Sequence, residues 1–427
     1  MFIKRIVISL SLLVYCTFSY AQYSNYEFST LRFVANGESS YASPSDVANA
    51  QIELGWRYYN GTGGASKDYS KAFQWFLKPA NYGNRWAQAM VGIMYENGDG
   101  VEQDISKALY WHEKAANQHY HESSLRAGKM YYFGRGAAQN YQRASYYFKD
   151  AAFGGIAEGM YFSAWCNAYG QGVPADSTKA YFWANRAIDE GYDEAYTLLG
   201  NMYLNGLSVK KNPKKAKSYY EKGIERNRWS SINSMGLALE NGEFGEVDYV
   251  GASEYYIKAA EQGYSYSIEN LARLYTYKKY EMVDYDKAAF WYQKLVDMGY
   301  GKEYYKVLTA LYNEKKDYAS AAKILIKRAE ADDLSAINSL AYCYADGKGV
   351  EKDFNKAIEW IDYAISKAPS DATYLDSKGE ILLKKGDIKG AKKIWKKINT
   401  QFPLFYQEYL KEYEEPPFYT YMKSQEK

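Results

Sequence analysis

Ten times along this chain an Asp or Asn stands four residues ahead of an Ala. The acceptors are Asp68, Asp104, Asn140, Asp176, Asn212, Asp248, Asp284, Asp317, Asp353 and Asp387, ahead of Ala72, Ala108, Ala144, Ala180, Ala216, Ala252, Ala288, Ala321, Ala357 and Ala391. Such side chains accept hydrogen bonds from the free amides at a helix start, and an acid also meets the positive end of the helix dipole. Ten starts at nearly even spacing confine the chain to a row of short helices.

A second series lies upstream of the first. Small residues recur at Gly55, Gly92, Gly128, Ala164, Gly200, Gly236, Ala272, Thr309, Ala341 and Gly379, in steps of 37, 36, 36, 36, 36, 36, 37, 32 and 38 residues. Small residues are needed in both series where the two helices of a hairpin approach closely. Three residues past each alanine sits a bulky residue: Trp75, Trp111, Tyr147, Trp183, Tyr219, Tyr255, Trp291, Ile324, Trp360 or Ile394. That is an apolar stripe at helical spacing. In the first helices Tyr58, Tyr95, Tyr131, Tyr203, Tyr275, Tyr312 and Tyr344 share one register. The chain has 49 Tyr, 17 Phe and 10 Trp, which suits helices that fill wide gaps or present adhesive surface.

The stretch Ala87–Ala116, AQAMVGIMYENGDGVEQDISKALYWHEKAA, shows the whole unit. Its pattern of a small residue, Gly, Tyr, Gly-x-Gly-Val, Asp-x-x-Lys-Ala, Trp and Ala-Ala resembles the Sel-one-like repeat family, a branch of the tetratricopeptide-like solenoids. The loops NGDGV, YGQGV and DGKGV match best, while the eighth and tenth units have lost the glycine loop. The resemblance implies an all-α fold, a right-handed superhelical α/α solenoid of about ten helix-turn-helix repeats over residues 47–400. Cysteine staples found in some secreted members of the family are absent.

Outside the array, residues 1–21 read as a secretory signal, with Lys4 and Arg5, an apolar run from Ile6 to Phe18 and a Ser19-Tyr20-Ala21 cleavage site. The run is too short to span a bilayer, and no later segment is long enough. Cys16 follows Tyr15, a poor context for lipid attachment. Residues 22–46 form a cap segment, with a short helix expected in Tyr26–Ala35 and a helix start at Ser43-Pro44. Residues 401–427 hold a capping helix, Leu404 to Glu415, and a tail. The expected location is therefore outside the cytoplasm, in a periplasm or at the cell surface.

Lys4 and Arg5 account for the formal net charge of +2, so the chain from Gln22 is formally neutral. No global field steers it to nucleic acid or anionic lipid. A local cluster, Lys384, Lys385, Lys389, Lys392, Lys393, Lys396 and Lys397, reads as the solvated face of the last pair.

Little here carries chemistry. The Gly-x-Gly loops follow helices rather than strands and lack the further residues of a phosphate loop. His112 and His119 could share one side of a helix as metal ligands, but His119 and His121 lie near a helix end and no Cys or carboxylate cluster joins them. No nucleophile with a base is assembled, and no cofactor is expected. The family resemblance places the groove positions six and three before the small residue, and one and four after it. In the first four repeats they select Ile52, Trp56, Tyr59, Trp86, Ile93, Leu125, Lys129, Tyr132, Tyr161 and Trp165. From the fifth they select mainly polar residues: Asn201, Asn233, Glu269, Arg273, Glu303, Lys306, Asn338 and Asp376, with Tyr266 and Tyr342 as exceptions. The expected function is a non-catalytic scaffold or adaptor that holds a protein or peptide in this face. A glycan or cell-wall binding module is the alternative, and a cell-wall or β-lactam hydrolase a second.

Cys166 and Cys343 fall in one core register about five repeats apart, far beyond disulfide reach, so two buried free thiols are expected. The chain lacking residues 1–21, denatured without reductant, is expected to titrate two thiols with a chromogenic disulfide; a count of zero overturns this register.

Overall fold

The computed structural model describes Tyr23 and residues 25–207, 209–300 and 302–402, and these are helical, with no strand among them. Helix α1 (Phe28–Ala35) comes first. Then follow α2 (Pro44–Asn60) and α3 (Tyr69–Asn81), α4 (Arg85–Asn97) and α5 (Ile105–Ala116), α6 (His121–Phe133) and α7 (Tyr141–Phe153), α8 (Ala157–Tyr169) and α9 (Ser177–Asp189), and α10 (Ala195–Asn205) and α11 (Pro213–Glu225). The series continues with α12 (Trp229–Glu240) and α13 (Tyr249–Glu261), α14 (Ser265–Thr276) and α15 (Tyr285–Asp297), α16 (Lys302–Glu314) and α17 (Tyr318–Glu330), α18 (Leu334–Asp346) and α19 (Phe354–Lys367), and α20 (Ala372–Lys385) and α21 (Ile388–Gln401). Within each unit, consecutive helices pack on one another, the arrangement of a helical-repeat solenoid. The chain divides into two compact units at Ser234 and Met235, inside α12. The expected signal segment and the helix from Leu404 lie outside the described residues.

All ten Asp and Asn residues are N-caps. Each side chain accepts the amide three residues on, from Asp68 with Lys71 at 2.9 Å to Asp387 with Gly390 at 2.9 Å. Each cap contributes about 1 kcal/mol. The cation before the alanine also has a recurrent partner, the first-helix Tyr: Lys71 lies 5.6 Å from the Tyr58 ring, Lys107 5.5 Å from Tyr95, Lys215 5.0 Å from Tyr203 and Lys287 5.1 Å from Tyr275. In these repeats the shared tyrosine register therefore pins the start of the second helix by cation–π attraction.

The ring that fills each pair lies four residues past the alanine, one beyond the conspicuous bulky series. Phe76, Phe148, Tyr220, Tyr256 and Trp395 are fully buried there, whereas Trp75, Trp183, Tyr219, Tyr255 and Trp291 are only half-buried. Each of these deep rings lies flat on the first-helix glycine. A Cβ on Gly128 would stand 2.7 Å from the Phe148 ring, one on Gly236 2.6 Å from Tyr256, and one on Gly379 2.5 Å from Trp395. The two positions covary along the chain. Gly55, Gly92, Gly128, Gly200, Gly236 and Gly379 face Phe76, His112, Phe148, Tyr220, Tyr256 and Trp395. Where the small residue is Ala164, Thr309 or Ala341, the register places Ala184, Leu325 or Ile361 opposite. Ala272 with Tyr292 departs from the rule.

The loop glycines have two jobs. The first, as at Gly98, ends the helix in the left-handed region at φ 76°. The second, Gly100, has φ +72° and sits against the backbone carbonyl of Tyr69, the first residue of the preceding repeat's second helix. Gly136 meets Ile105 in the same way, Gly172 meets Tyr141, and Gly349 meets Tyr318. The Gly-x-Gly loop is thus an inter-repeat contact as well as a turn.

The N-terminal segment is tied to the first pair through Arg57. This buried guanidinium donates to the carbonyls of Tyr23 (3.2 Å), Tyr26 (2.9 Å) and Gly63 (3.0 Å) and to Glu53 (2.8 Å). The helix start at Ser43 holds as a capping box with Asp46. Cys166 and Cys343 are both free, but only Cys166 is buried; Cys343 is half-buried.

Gly128→Ala is expected to cost about 1–3 kcal/mol in denaturant unfolding, although Ala is intrinsically the better helix former by about 1 kcal/mol. Phe148→Leu on top of it should recover part of the loss, a coupling of about 1 kcal/mol in a double-mutant cycle. Simple additivity would show that ring and glycine do not constrain each other.

Candidate partner-binding face

The expected groove residues of the N-terminal unit separate by depth. Ile52, Trp86 and Ile93 are buried within the α2–α4 core and offer no surface. Neighbouring helices close over them, so these three belong to packing. The remaining seven are half-buried; Leu125 packs against the core of the α5–α7 repeats, and the other six fall into two clusters.

In the first cluster Trp56 is wedged among Tyr59 (ring centroids 5.7 Å), Phe76 (5.8 Å) and Trp86 (5.4 Å). The Tyr59 hydroxyl donates to Asp99 Oδ2 at 3.0 Å, which ties it to the next repeat's loop. The Trp56 indole N–H makes no hydrogen bond to a described residue. In the second cluster Tyr161 lies 6.1 Å from Trp165 and 5.1 Å from Tyr192, and Trp165 lies 4.4 Å from Tyr169. Gln171 Oε1, in the loop after α8, accepts both the Tyr132 hydroxyl (2.8 Å) and the Trp165 indole N–H (3.1 Å). Lys129 reaches across to Glu158 at 2.7 Å. Burial raises the Tyr161 hydroxyl above its ordinary pKa, so it stays a neutral donor; it makes no hydrogen bond to a described residue.

Between the clusters stands Glu96. Burial acts to raise its carboxyl, but the His112 imidazole and the charges of Arg126 and Arg135 outweigh that and hold it at about 2. Arg126 donates at 2.8 Å; Arg135 stands at 3.9 Å and His112 Nε2 at 3.8 Å, too far for hydrogen bonds. His112 takes the ring position of its pair, and its Nδ1 is 3.2 Å from Ser123 Oγ. Ser123, His112 and Glu96 therefore have the order of a nucleophile, base and acid. The residues are enclosed: Ser123 is 1% exposed and His112 0%. No acyl substrate reaches that hydroxyl, and the group is a buried polar relay.

The pairing of His112 with His119 does not form. His119 Nδ1 and His121 Nδ1 instead each approach one oxygen of Asp150 at 3.1 Å. Among the described residues no group of three His, Cys, Asp or Glu side chains is placed to hold a metal.

In the C-terminal unit several inner positions are occupied by intramolecular pairs. Arg273 makes a two-pronged bridge to Glu240 (2.7 and 2.8 Å), which also accepts the Tyr256 hydroxyl at 2.8 Å. The Tyr342 hydroxyl donates to Glu380 at 2.7 Å, and Asp376 accepts the Trp395 indole N–H at 3.0 Å. Tyr266 alone among the inner aromatics stands well exposed. Gln171, Asp150 and the Ser123 relay carried no signal in the sequence, because each meets its partners across about thirty residues or through a loop. The half-buried aromatics were found because they sit at fixed steps from the small residue.

Helix pairs of this spacing and loop chemistry define a repeat protein of the tetratricopeptide-like class. The Sel1 repeat matches residues 48–81, 87–120, 121–152, 157–192, 193–227, 229–264, 265–300 and 334–368, more than half of the sequence, and the chain belongs to that family. The stretches left unmatched, 301–333 and 369 onward, contain the two pairs without a glycine loop. Similar solved structures include c5321, a protective antigen present in uropathogenic Escherichia coli strains displaying an SLR fold. It is 27% identical, covers 79% of this chain and 72% of that one, and has a TM-score of 0.45. A Sel1 repeat protein from Oxalobacter formigenes is 24% identical over 57% of this chain and 96% of that one, with a TM-score of 0.49. No curated protein matches.

His112 generates a pH prediction. Burial, aided by Arg126, pushes its pKa below the ordinary imidazole value against the pull of Glu96. The folded state thus keeps it neutral, while the unfolded chain protonates it near 6.5. Its contribution is complete above that value and is lost as pH falls, by up to about 1.4 kcal/mol per pH unit. Glu96 acts lower: its contribution is present above its unfolded value of 4.5 and is lost as pH falls toward 2. His112→Phe, which copies Phe76 and Phe148, should flatten stability between pH 7 and 5 and shrink the decline below 4.5 to the part that Arg126 and Arg135 support. Urea midpoints at pH 7.5, 5.5 and 3.5 test this; an unchanged slope between 7.5 and 5.5 rejects it.

Proposed function

We propose that this chain is an exported, non-catalytic scaffold that holds a protein or peptide partner on the inner aromatic face of its N-terminal unit. Membership of the Sel1 repeat family supports the interaction role. The observation that carries the site is that Trp56 and Tyr161 are immobilised by neighbouring rings while their polar tips have no hydrogen-bond partner among the described residues. Rigid aromatics bind at low ordering cost and are typical interface anchors. The neighbouring Lys129–Glu158 pair and Glu96 with its arginines give the face both signs of charge, which suits a peptide backbone and mixed side chains. Export rests on the signal-like residues 1–21, and no described helix is long and apolar enough to cross a membrane.

The test is affinity capture from the native envelope with wild type and with Trp56→Ala plus Tyr161→Ala, each checked for native helicity. A partner that binds this face should fall at least tenfold in the double variant, since each anchor is worth about 1–3 kcal/mol. Equal recovery of every captured protein would remove the inner face from consideration.

A further inference from the structure

A second surface differs in kind from the inner face. It lies on the second helices α5, α7 and α9 of the N-terminal unit. Tyr110, Tyr146 and Phe182 each stand two residues past the repeat alanine and are 50%, 64% and 52% exposed. Each leans edge-on against the next residue's ring: Tyr110 on Trp111 (5.3 Å, 78°), Tyr146 on Tyr147 (5.2 Å, 75°) and Phe182 on Trp183 (5.0 Å, 73°). The partner ring, buried in Trp111 and Tyr147 and half-buried in Trp183, sets the orientation of the open ring. Three consecutive repeats therefore carry three exposed aromatic rings in one register, of which Tyr110 has the Lys114 ammonium over its ring at 4.7 Å.

Beside the middle platform is a shallow cavity of about 500 Å³ lined by Glu113, Asn117, Gln142, Arg143, Tyr146 and Tyr147, within the usual range for small-ligand sites of about 300–1,000 Å³. Glu113 is oriented in advance. Its Oε1 accepts the hydroxyls of Tyr131 (2.8 Å) and Tyr147 (3.0 Å) and the Arg143 guanidinium (3.4 Å). All three fall on one oxygen, so Oε2 has no partner among the described residues. The side-chain amides of Asn117 and Gln142 are exposed and likewise bond to no described residue. The lining is charge-balanced, with one carboxylate and one guanidinium.

Those features select a ligand class. A charge-balanced site does not concentrate anions or cations. Planar groups offering both donors and acceptors match adjacent hydroxyls, and an open aromatic face matches an apolar ring face. A molecule with both is a neutral sugar ring. A bilayer is a poor fit, because docking would bury the Glu113 carboxylate and two amides. We propose that this outer cavity is a carbohydrate subsite, centred on Tyr146, and that Tyr110 and Phe182 extend it along a neutral polysaccharide. The proposal is independent of the inner-face reading.

The experiment is isothermal titration of the chain with cellohexaose, chitohexaose and laminarihexaose, with dextran sulfate as the charged control. At least one neutral hexasaccharide should bind saturably. Tyr146→Ala should weaken it at least tenfold and Gln142→Ala about threefold, with helicity unchanged, while Trp56→Ala plus Tyr161→Ala leaves it as in wild type. Tyr146→Phe should retain most of the binding, since the platform is the ring. Absence of saturable binding to all three sugars, preference for dextran sulfate over them, or equal affinity in Tyr146→Ala overturns the proposal.

Discussion

The contact on which the rest depends is a flat ring pressed onto a residue without a side chain. Phe76, Phe148, Tyr220, Tyr256 and Trp395 can be fully buried inside a two-helix hairpin only because Gly55, Gly128, Gly200, Gly236 and Gly379 let the backbones close around them. Protein interiors tolerate few voids, so removing the ring or enlarging the glycine alone fails, while changing both is accommodated. Repeats with Ala164, Thr309 and Ala341 have made such paired changes within this same chain.

The ring position also shapes the inner surface. Where the ring has a polar tip, the first helix must supply an acceptor. Tyr220 donates to Asn201 at 2.6 Å, Tyr256 to Glu240 and Trp395 to Asp376. Part of the polarity on inner positions from the fifth repeat onward is thus spent on the core. The early repeats use Phe76 and Phe148, which demand nothing, and the inner tips of Tyr59, Tyr132 and Trp165 bond to loop residues instead.

What could be read from the sequence was what local chemistry dictates. An N-cap needs only its own next three amides, so all ten were visible. The close approach of each hairpin was visible in the small residues. The deep ring was harder to see. A helical stripe is wide enough to hold two adjacent positions, and the tryptophans at the shallower one draw the eye, whereas the deeper set includes His112, Ala184 and Leu325. Depth in the groove was not legible for Ile52, Trp86 and Ile93, because it depends on how α2 and α4 close on each other. The hold of Gln171 on Tyr132 and Trp165 and the sharing of Asp150 by two histidines depend on contacts that no periodicity announces.

The second glycine of each loop leaves one further consequence. Gly100 leans on the first residue of α3, and Gly136, Gly172 and Gly349 repeat the arrangement with the helices before them. A hairpin therefore does not end where its second helix ends: its capped helix start becomes a completed surface only when the following loop has been laid over it. For anyone splicing, deleting or transplanting modules of this array, the loop contact favours a seam half a repeat away, at the Asp that opens each second helix, and such a cut requires the flanking piece to restore the glycine opposite each deep ring. Cuts made there carry a whole contact with the excised piece; cuts made between hairpins leave a bare carbonyl on one side and an idle glycine on the other.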